Sequence, residues 1–417
     1  MPIHDPNKHR SNSFARAPAL SRLRRRHRAA VRLLGVRALR LGAMRLTEGA
    51  QADGRTGGAW RRGPTQLPLL PSDSPPVRPS ALAVLDERLR GTKFVSLTPR
   101  SVLNSPQQTG VDFWSLNPFV GCEFGCTYCY ARYAHRYVVE RAHDAGRLSA
   151  PEFREFRGPH GWEAFERRIF VKEGLPGALE RDLQRYFRSA GTSGVAAAPI
   201  VIGTATDPYQ PGERRFRSTR QVLERLARCE GLNIGIITKS PLVARDIDVL
   251  QRIADKSDLQ VHVSLTTVDA GIIRRLEARS PLPAARLRAL RKLTAAGVNA
   301  GLIVAPVLPG ITDDVPHLEA LFQAAREAGA RFVHAGPLRL YPAVRDRFLP
   351  VLDAHFPQLS ERYRRAYARA SGAPRPYAAA LSRRVRRLQR RFGFPENEGM
   401  RDRYANHLPP GQGALGL

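Results

Sequence analysis

The chain has 417 residues, room for one large core with tails or for two ordinary domains. Four cysteines, three of them between positions 122 and 129, do not make a disulfide framework, and no apolar run is long enough to span a bilayer; a soluble, cytoplasmic protein with no membrane partner is expected. The formal charge of +30 favours DNA or another nucleic acid through phosphate contacts and counterion release, while an arginine-rich protein with solvated basic surfaces would carry the same surplus.

Residues 1–84 form the first predicted segment, read as disordered and basic. Residues 1–62 hold one lysine and fourteen arginines against Asp5, Glu48 and Asp53, a surplus of +12, and the run from Arg22 to Arg28 repels itself without a counter-charge. Leu33 to Leu46 has the spacing of one short basic amphipathic helix. A transit peptide would share this composition, and so would a chain whose true start lies near Met44.

The second segment, 85–340, alternates strand and helix signals once the cysteines are passed. Apolar runs predict strands at 199–204, 233–238, 260–265, 300–304 and 331–334. Helices are predicted at 217–228, 243–254, 270–278, 283–296 and 314–328. Such alternation means βαβ units and a parallel sheet, closed, partly closed or doubly wound, with ligands gathered at the carboxyl ends of the strands. The third segment, 341–417, reads as a helical, basic C-terminal extension, with helices over 348–370, broken near Pro357, and over 381–392. From Arg375 to Arg403 nine arginines face Glu396, Glu398 and Asp402, a surplus of +6.

The chemistry concentrates in Cys122-Glu-Phe-Gly-Cys126-Thr-Tyr-Cys129. Thiolates this close converge on one metal centre, and Gly121 and Gly125 supply the backbone freedom to bend around it. Three cysteines suit an iron–sulfur cluster with one iron left open. The competing reading is a zinc site completed by His135, a Cys3His set in a non-catalytic nucleic-acid-binding module. Cys229, at the end of a predicted helix, reads as a free buried thiol.

This loop resembles the signature of the radical S-adenosylmethionine (SAM) superfamily. Asn117-Pro118 to Tyr133, Gly203-Thr-Ala-Thr-Asp-Pro-Tyr-Gln-Pro211, Ile237-Thr-Lys-Ser-Pro241 and Ala305-Pro-Val-Leu-Pro-Gly310 are similar to the spore-photoproduct-lyase-like group, often labelled DNA repair photolyase. The resemblance covers roughly residues 90–340. It implies an α/β fold, a partial (β/α)6 radical SAM barrel holding a [4Fe-4S] cluster on Cys122, Cys126 and Cys129, with SAM chelating the fourth iron. It further implies a lyase-like enzyme that cleaves SAM reductively to a 5′-deoxyadenosyl radical for hydrogen abstraction. The electron would come from a one-electron reductant such as flavodoxin or ferredoxin.

Residue roles follow from the same resemblance. Tyr128 falls near the adenine, and packing of the loop is its alternative role. Thr204, Thr206 and Asp207 fall where the family binds the methionine amino group, although Asp207 before Pro208 also suits a turn. Lys239 matches a lysine that contacts the cofactor carboxylate. Ser264 and Thr266 reach the ribose, or Thr266 caps the next helix. Ala305 passes its backbone along the adenine. The lyase's hydrogen-returning cysteine would fall at or beside Thr204, where this chain has none, so Tyr209 or Tyr130 is considered as a radical relay. Substrates in view are damaged DNA first, with RNA, a protein or a small molecule as alternatives.

Overall fold

Short runs of branched apolar residues bounded by turn residues cannot close a helix, and they pair instead as strands. The computed structural model describes residues 84–87, 91–157, 161–193 and 198–396. Residues 1–83 of the predicted basic segment, with its helix at 33–46, and the arginines beyond 396 lie outside those residues. In chain order the strands are β1 (Val84–Glu87), β2 (Lys93–Leu97), β3 (Leu103–Asn104), β4 (Trp114–Leu116), β5 (Phe119–Val120), β6 (Arg168–Lys172), β7 (Ile200–Ile202), β8 (Asn233–Thr238), β9 (Asp258–Ser264), β10 (Ala300–Val307) and β11 (Val333–Pro337).

The principal sheet runs β11-β10-β9-β8-β7-β4-β3. Its six strands from β4 to β11 pair in parallel, and β3 closes one edge antiparallel to β4. Parallel neighbours need crossover connections, supplied by Ser218–Leu226, a 3₁₀ turn at Pro241–Asp246 running into Ile247–Ala254, the pair Ala270–Leu276 and Pro283–Ala295, and Val315–Glu327. The five predicted strands are therefore all present, and β4, just before the cysteines, is the sixth. Thr266 does not cap the helix after β9; Asp269 does, accepting from the backbone N–H groups of Gly271 and Ile272.

Strand alternation divides the sheet into two faces. Ile200, Ile202, Ile234, Ile236, Val261, Val263, Leu302, Val304 and Val333 pack against the helices in one continuous core with Val222, Leu250, Leu290, Leu321 and Phe322. The alternate side chains face the opposite way, into the lumen of the partial barrel. At roughly 25 cal/mol per Å² of apolar surface buried, this core is the main source of the fold's stability.

A second, small sheet and its helices have no counterpart in the predicted elements, whereas the helices after position 341 do. This sheet, β1-β2-β6-β5, pairs β2 in parallel with β6, and helices Arg132–Asp144, Ala150–Arg157 and Gly161–Arg167 lie between the cysteine loop and β6. The extension after position 341 does not stand apart. It forms helices Pro342–His355, Ser360–Ala366 and Arg375–Phe392, with the break at Pro357–Leu359. Leu381, Val385 and Leu388 of the last helix join the main core, and Gln389 Nε2 donates to the Val333 carbonyl at 2.9 Å.

Candidate metal centre and cofactor site

Strands β4 and β5 deliver the chain to Gly121 at the carboxyl end of the sheet. Gly121 has φ +91°, and a Cβ there would lie 2.9 Å from the Phe165 carbonyl oxygen; Gly125 has φ +66°. Around these bends the loop is pinned at three points. Cys122 N donates to Phe165 O at 2.9 Å, Glu123 N to Gln210 Oε1 at 3.0 Å, and Thr127 N to Leu276 O at 2.9 Å. Cys126 also forms an isolated antiparallel bridge with Glu277. On the outer side, buried Glu166 accepts from Arg132 at 2.7 Å and from Arg279, while Arg132 donates to Cys126 O at 2.9 Å and Arg279 Nε to Glu123 O at 2.6 Å.

Cys122 and Cys126 are buried, Cys129 is half-buried, and none is in a disulfide. Burial pushes the Cys122 thiol well up, and the charges of Asp207, Cys126 and Cys129 push it further. Burial raises Cys126 and Cys129 as well, against the pull of Lys239 on the first and Arg132 on the second. Three thiols that feel one another's charge in an apolar pocket stay ionised only beside a strong cation, which the iron of a cluster supplies. The donor set therefore fits the iron–sulfur group expected from the sequence.

The zinc alternative loses its fourth ligand. His135 is buried among Phe156, Phe165 and Phe170, with Nε2 2.9 Å from the Arg168 carbonyl oxygen. Burial lowers its pKa to about 4.

Beside the loop, at the ends of β8 and β9, Lys239 Nζ donates to Tyr128 Oη at 3.2 Å, Ser264 Oγ at 3.1 Å and Glu277 Oε1 at 3.0 Å. Tyr128 donates to the same carboxylate oxygen, and Ser280 and Arg286 donate to the other. Burial alone would raise the Glu277 carboxyl, but Lys239 and Arg286 hold it well below the usual range. Thr266 Oγ1, fully buried two residues beyond Ser264, has no hydrogen-bond partner among the described residues. Ala305 and Pro306, joined by a cis peptide, continue the same rim on β10. Tyr128, Lys239, Ser264, Thr266 and Ala305 are thus gathered at one mouth of the lumen. Glu277, which joins Tyr128 and Lys239, carries no sequence signal beyond a carboxylate near the end of a predicted helix.

The remaining predicted residues brace this mouth. Thr206 donates to Gly121 O at 2.6 Å, and Gln210 Nε2 reaches both that oxygen and Thr206. Asp207 accepts from Thr238 Oγ1 and Lys239 N, each at 2.7 Å, and from Tyr209 N at 2.9 Å, so it ties its loop to β8 as a turn residue. Thr204 Oγ1 lies 2.7 Å from Ser115 Oγ and accepts from Asn117 Nδ2. Tyr130 is 45% exposed and donates to the Thr204 carbonyl oxygen at 2.5 Å. Tyr209 is a correction. Its ring is fully buried in the helical core, beside Asp246 and Glu213, and so lies on the wrong face of the sheet for a relay in the lumen.

A sequence model described as the Radical SAM superfamily matches residues 116–321. An uncharacterized protein of Mycobacterium tuberculosis H37Rv is 31% identical over 297 residues, 71% of this chain and 79% of its own length. An uncharacterized protein of Methanocaldococcus jannaschii is 24% identical over 221 residues, 53% of this chain and 70% of its own. Among solved structures, a spore photoproduct lyase double mutant with bound AdoMet and dinucleoside spore photoproduct superposes with a TM-score of 0.52 at 16% identity, over 73% of this chain and 80% of that one, a likeness of fold. With the three-cysteine loop set over the carboxyl ends of six parallel strands, these matches make the chain a member of the radical SAM superfamily.

Proposed function

We propose that this radical SAM enzyme abstracts hydrogen from a nucleic acid, DNA in the first instance. Its [4Fe-4S] cluster would be held by Cys122, Cys126 and Cys129. Membership of the superfamily implies the iron–sulfur cluster and SAM; when bound, they supply reductive cleavage of SAM to a hydrogen-abstracting 5′-deoxyadenosyl radical. The observation that carries the reading is the junction of the cysteine loop with Lys239, Tyr128 and Glu277 at the strand ends.

The chain's own groups have distinct tasks there. Lys239, with a side chain 14% exposed, is the cation available to a cofactor carboxylate. Ser264 and Thr266 offer hydroxyls to a ribose, and Tyr128 and Ala305 border the space for a purine. Asp207, Thr206 and Gln210 keep the loop from shifting, so the reacting groups meet in one geometry. Burial of Cys122 and Cys126 excludes water from the reducing centre.

Nucleic acid is favoured by the +30 charge, by exposed Arg383, Arg386 and Arg387 on the last helix, and by the dinucleoside named for the fold neighbour. Repair by the lyase's own hydrogen return is not favoured. Cys229 packs in the helical core with Arg225 Nη1 3.2 Å from its sulfur, remote from the lumen face. The test supplies the anaerobically reconstituted, reduced enzyme with deuterated DNA and RNA and follows deuterium into 5′-deoxyadenosine. Label from DNA supports the reading. Cleavage of SAM without label from either polymer transfers the activity to a protein or small-molecule substrate.

A further inference from the structure

The lumen holds a group of rings that the cofactor residues leave unused. Leu259, Val261 and Val263 face the helices, so Gln260, His262 and Ser264 face the lumen, and the same alternation turns Ile303 on β10 and His334 on β11 inward. Ile303 pairs with Ser264 on one side and His334 on the other, while Thr238 pairs with Val263. Lys239, Ser264, Ile303 and His334 therefore share one layer, with His334 about 10 Å from Ser264, two strand spacings away. His262, Gly301 and Phe332 form the layer beneath.

Ring centroids are 4.9 Å apart for His262 and Phe332, 4.9 Å for Phe332 and His334, and 5.7 Å for His262 and His334. Gly301 makes room for this wall, since a Cβ there would lie 2.4 Å from the Phe332 ring. Above it, a Cβ at Gly336 would meet nothing within 4 Å, and Ile303 is half-exposed, so the wall borders open space at the cofactor mouth. His262 is 2% exposed and its Nδ1 has no hydrogen-bond partner among the described residues. A buried polar atom left this way is costly unless a ligand or water completes it.

We propose that His262, Phe332 and His334 are the substrate-binding wall of the lumen and receive an extruded nucleobase, stacked on Phe332 and His334 and hydrogen-bonded by His262. The proposal rests on the nucleic-acid reading above and deepens it. Burial lowers the imidazoles to about 3 and about 4, the first also by the charge of the second, so the wall is uncharged at neutral pH. Neutral rings offer little to a phosphate but suit a planar, uncharged heterocycle. A base inside a duplex cannot reach a layer inside a barrel, so it must leave the stack. His334, at 8% exposure, is the more open of the two imidazoles.

The test measures binding of a fluorescent single-stranded decadeoxynucleotide to the reconstituted, SAM-loaded protein across a salt series. Phe332→Leu, His334→Leu and His262→Leu should each weaken binding about tenfold or more without changing the salt slope, because base contacts release no counterions. His262→Asn, which returns an amide near Nδ1, should recover most of the loss, and Arg387→Ala should reduce the slope instead. Iron content checks that each variant is folded. Independently of any variant, 5-iodouracil in the oligonucleotide should crosslink the wild-type protein at Phe332 or His334. If the wild type binds but the leucine variants keep its affinity, or crosslinks map only to exterior arginines, the wall is overturned and the nucleic-acid reading survives. If the wild type binds no oligonucleotide, both fall.

Discussion

Glu277 accepts hydrogen bonds from Tyr128, Lys239, Ser280 and Arg286 while its backbone bridges Cys126. It therefore couples the metal loop to the cation at the cofactor mouth. Arg286 is fully buried, and Glu277→Gln would leave it without its counter-charge. The expected cost is about 3–5 kcal/mol, read as a lower unfolding free energy in urea, since breaking a buried pair strands the remaining charge. Lys239→Met is expected to behave differently, because Glu277 keeps Arg286 as partner when Lys239 is lost. Its stability and iron content should stay near wild type. SAM affinity should fall roughly ten- to a hundredfold, the worth of about 1.5–3 kcal/mol for a hydrogen bond to a charged group, as measured by equilibrium binding. A Lys239→Met protein that binds SAM normally would remove the lysine from the cofactor site. Lys239 was singled out in the sequence by the family resemblance at the end of an apolar strand; Glu277 was not, because its partners Tyr128 and Lys239 lie 149 and 38 residues away along the chain.

At the scale of elements, the parallel strands were legible because each is a short apolar run followed by polar, Pro-rich or Gly-rich residues. Strand β2, Lys93 to Leu97, is such a run too, yet its meaning depends on pairing with β6 some 75 residues later, beyond the reach of local pattern. That hidden sheet sets the cysteine loop, since β5 pairs with β6 and hands the chain directly to Gly121. Gly121→Ala tests the coupling. The Cβ would meet the Phe165 carbonyl at 2.9 Å, just before β6, and the Arg168 carbonyl at 3.1 Å, at its start, in addition to the strain of a positive φ of roughly 1–3 kcal/mol. Iron retained after reconstitution should drop well below wild type while the far-ultraviolet circular dichroism is unchanged. Gly146→Ala is the control, with φ +67° but no atom within 4 Å of the added methyl, and it should hold iron normally. Equal iron in the two variants would mean that β6 does not shape the loop.

For the whole molecule, three imidazoles are kept neutral in apolar places that no single segment creates. His135 lies between the metal-loop helix and the small sheet, and His262 and His334 line the lumen. The sequence offered His135 as a ligand because spacing along the chain was all that could be read; the fold spends it on Phe156, Phe165 and Phe170 instead. An unfolded histidine binds its proton near pH 6.5, whereas these three do so near 4, 3 and 4. Between those values the unfolded chain carries more protons than the native one, so stability is complete above about pH 6.5 and declines as pH falls. Each histidine contributes on the order of 1.4 kcal/mol per pH unit at most. Glu166 and Glu277, held low by arginine and lysine, begin to subtract only below the ordinary carboxylate range, and Asp207 and Glu213, raised by burial, act in the opposite sense. Urea unfolding at pH 7 and pH 5 should therefore show a marked loss for the wild type. His135→Phe gives up the Arg168 carbonyl contact at both values, so it starts from lower stability but should lose less on acidification. Equal losses in the two proteins would mean that folded His135 takes up its proton over the same range as an unfolded histidine, and that its aromatic surroundings do not hold it neutral.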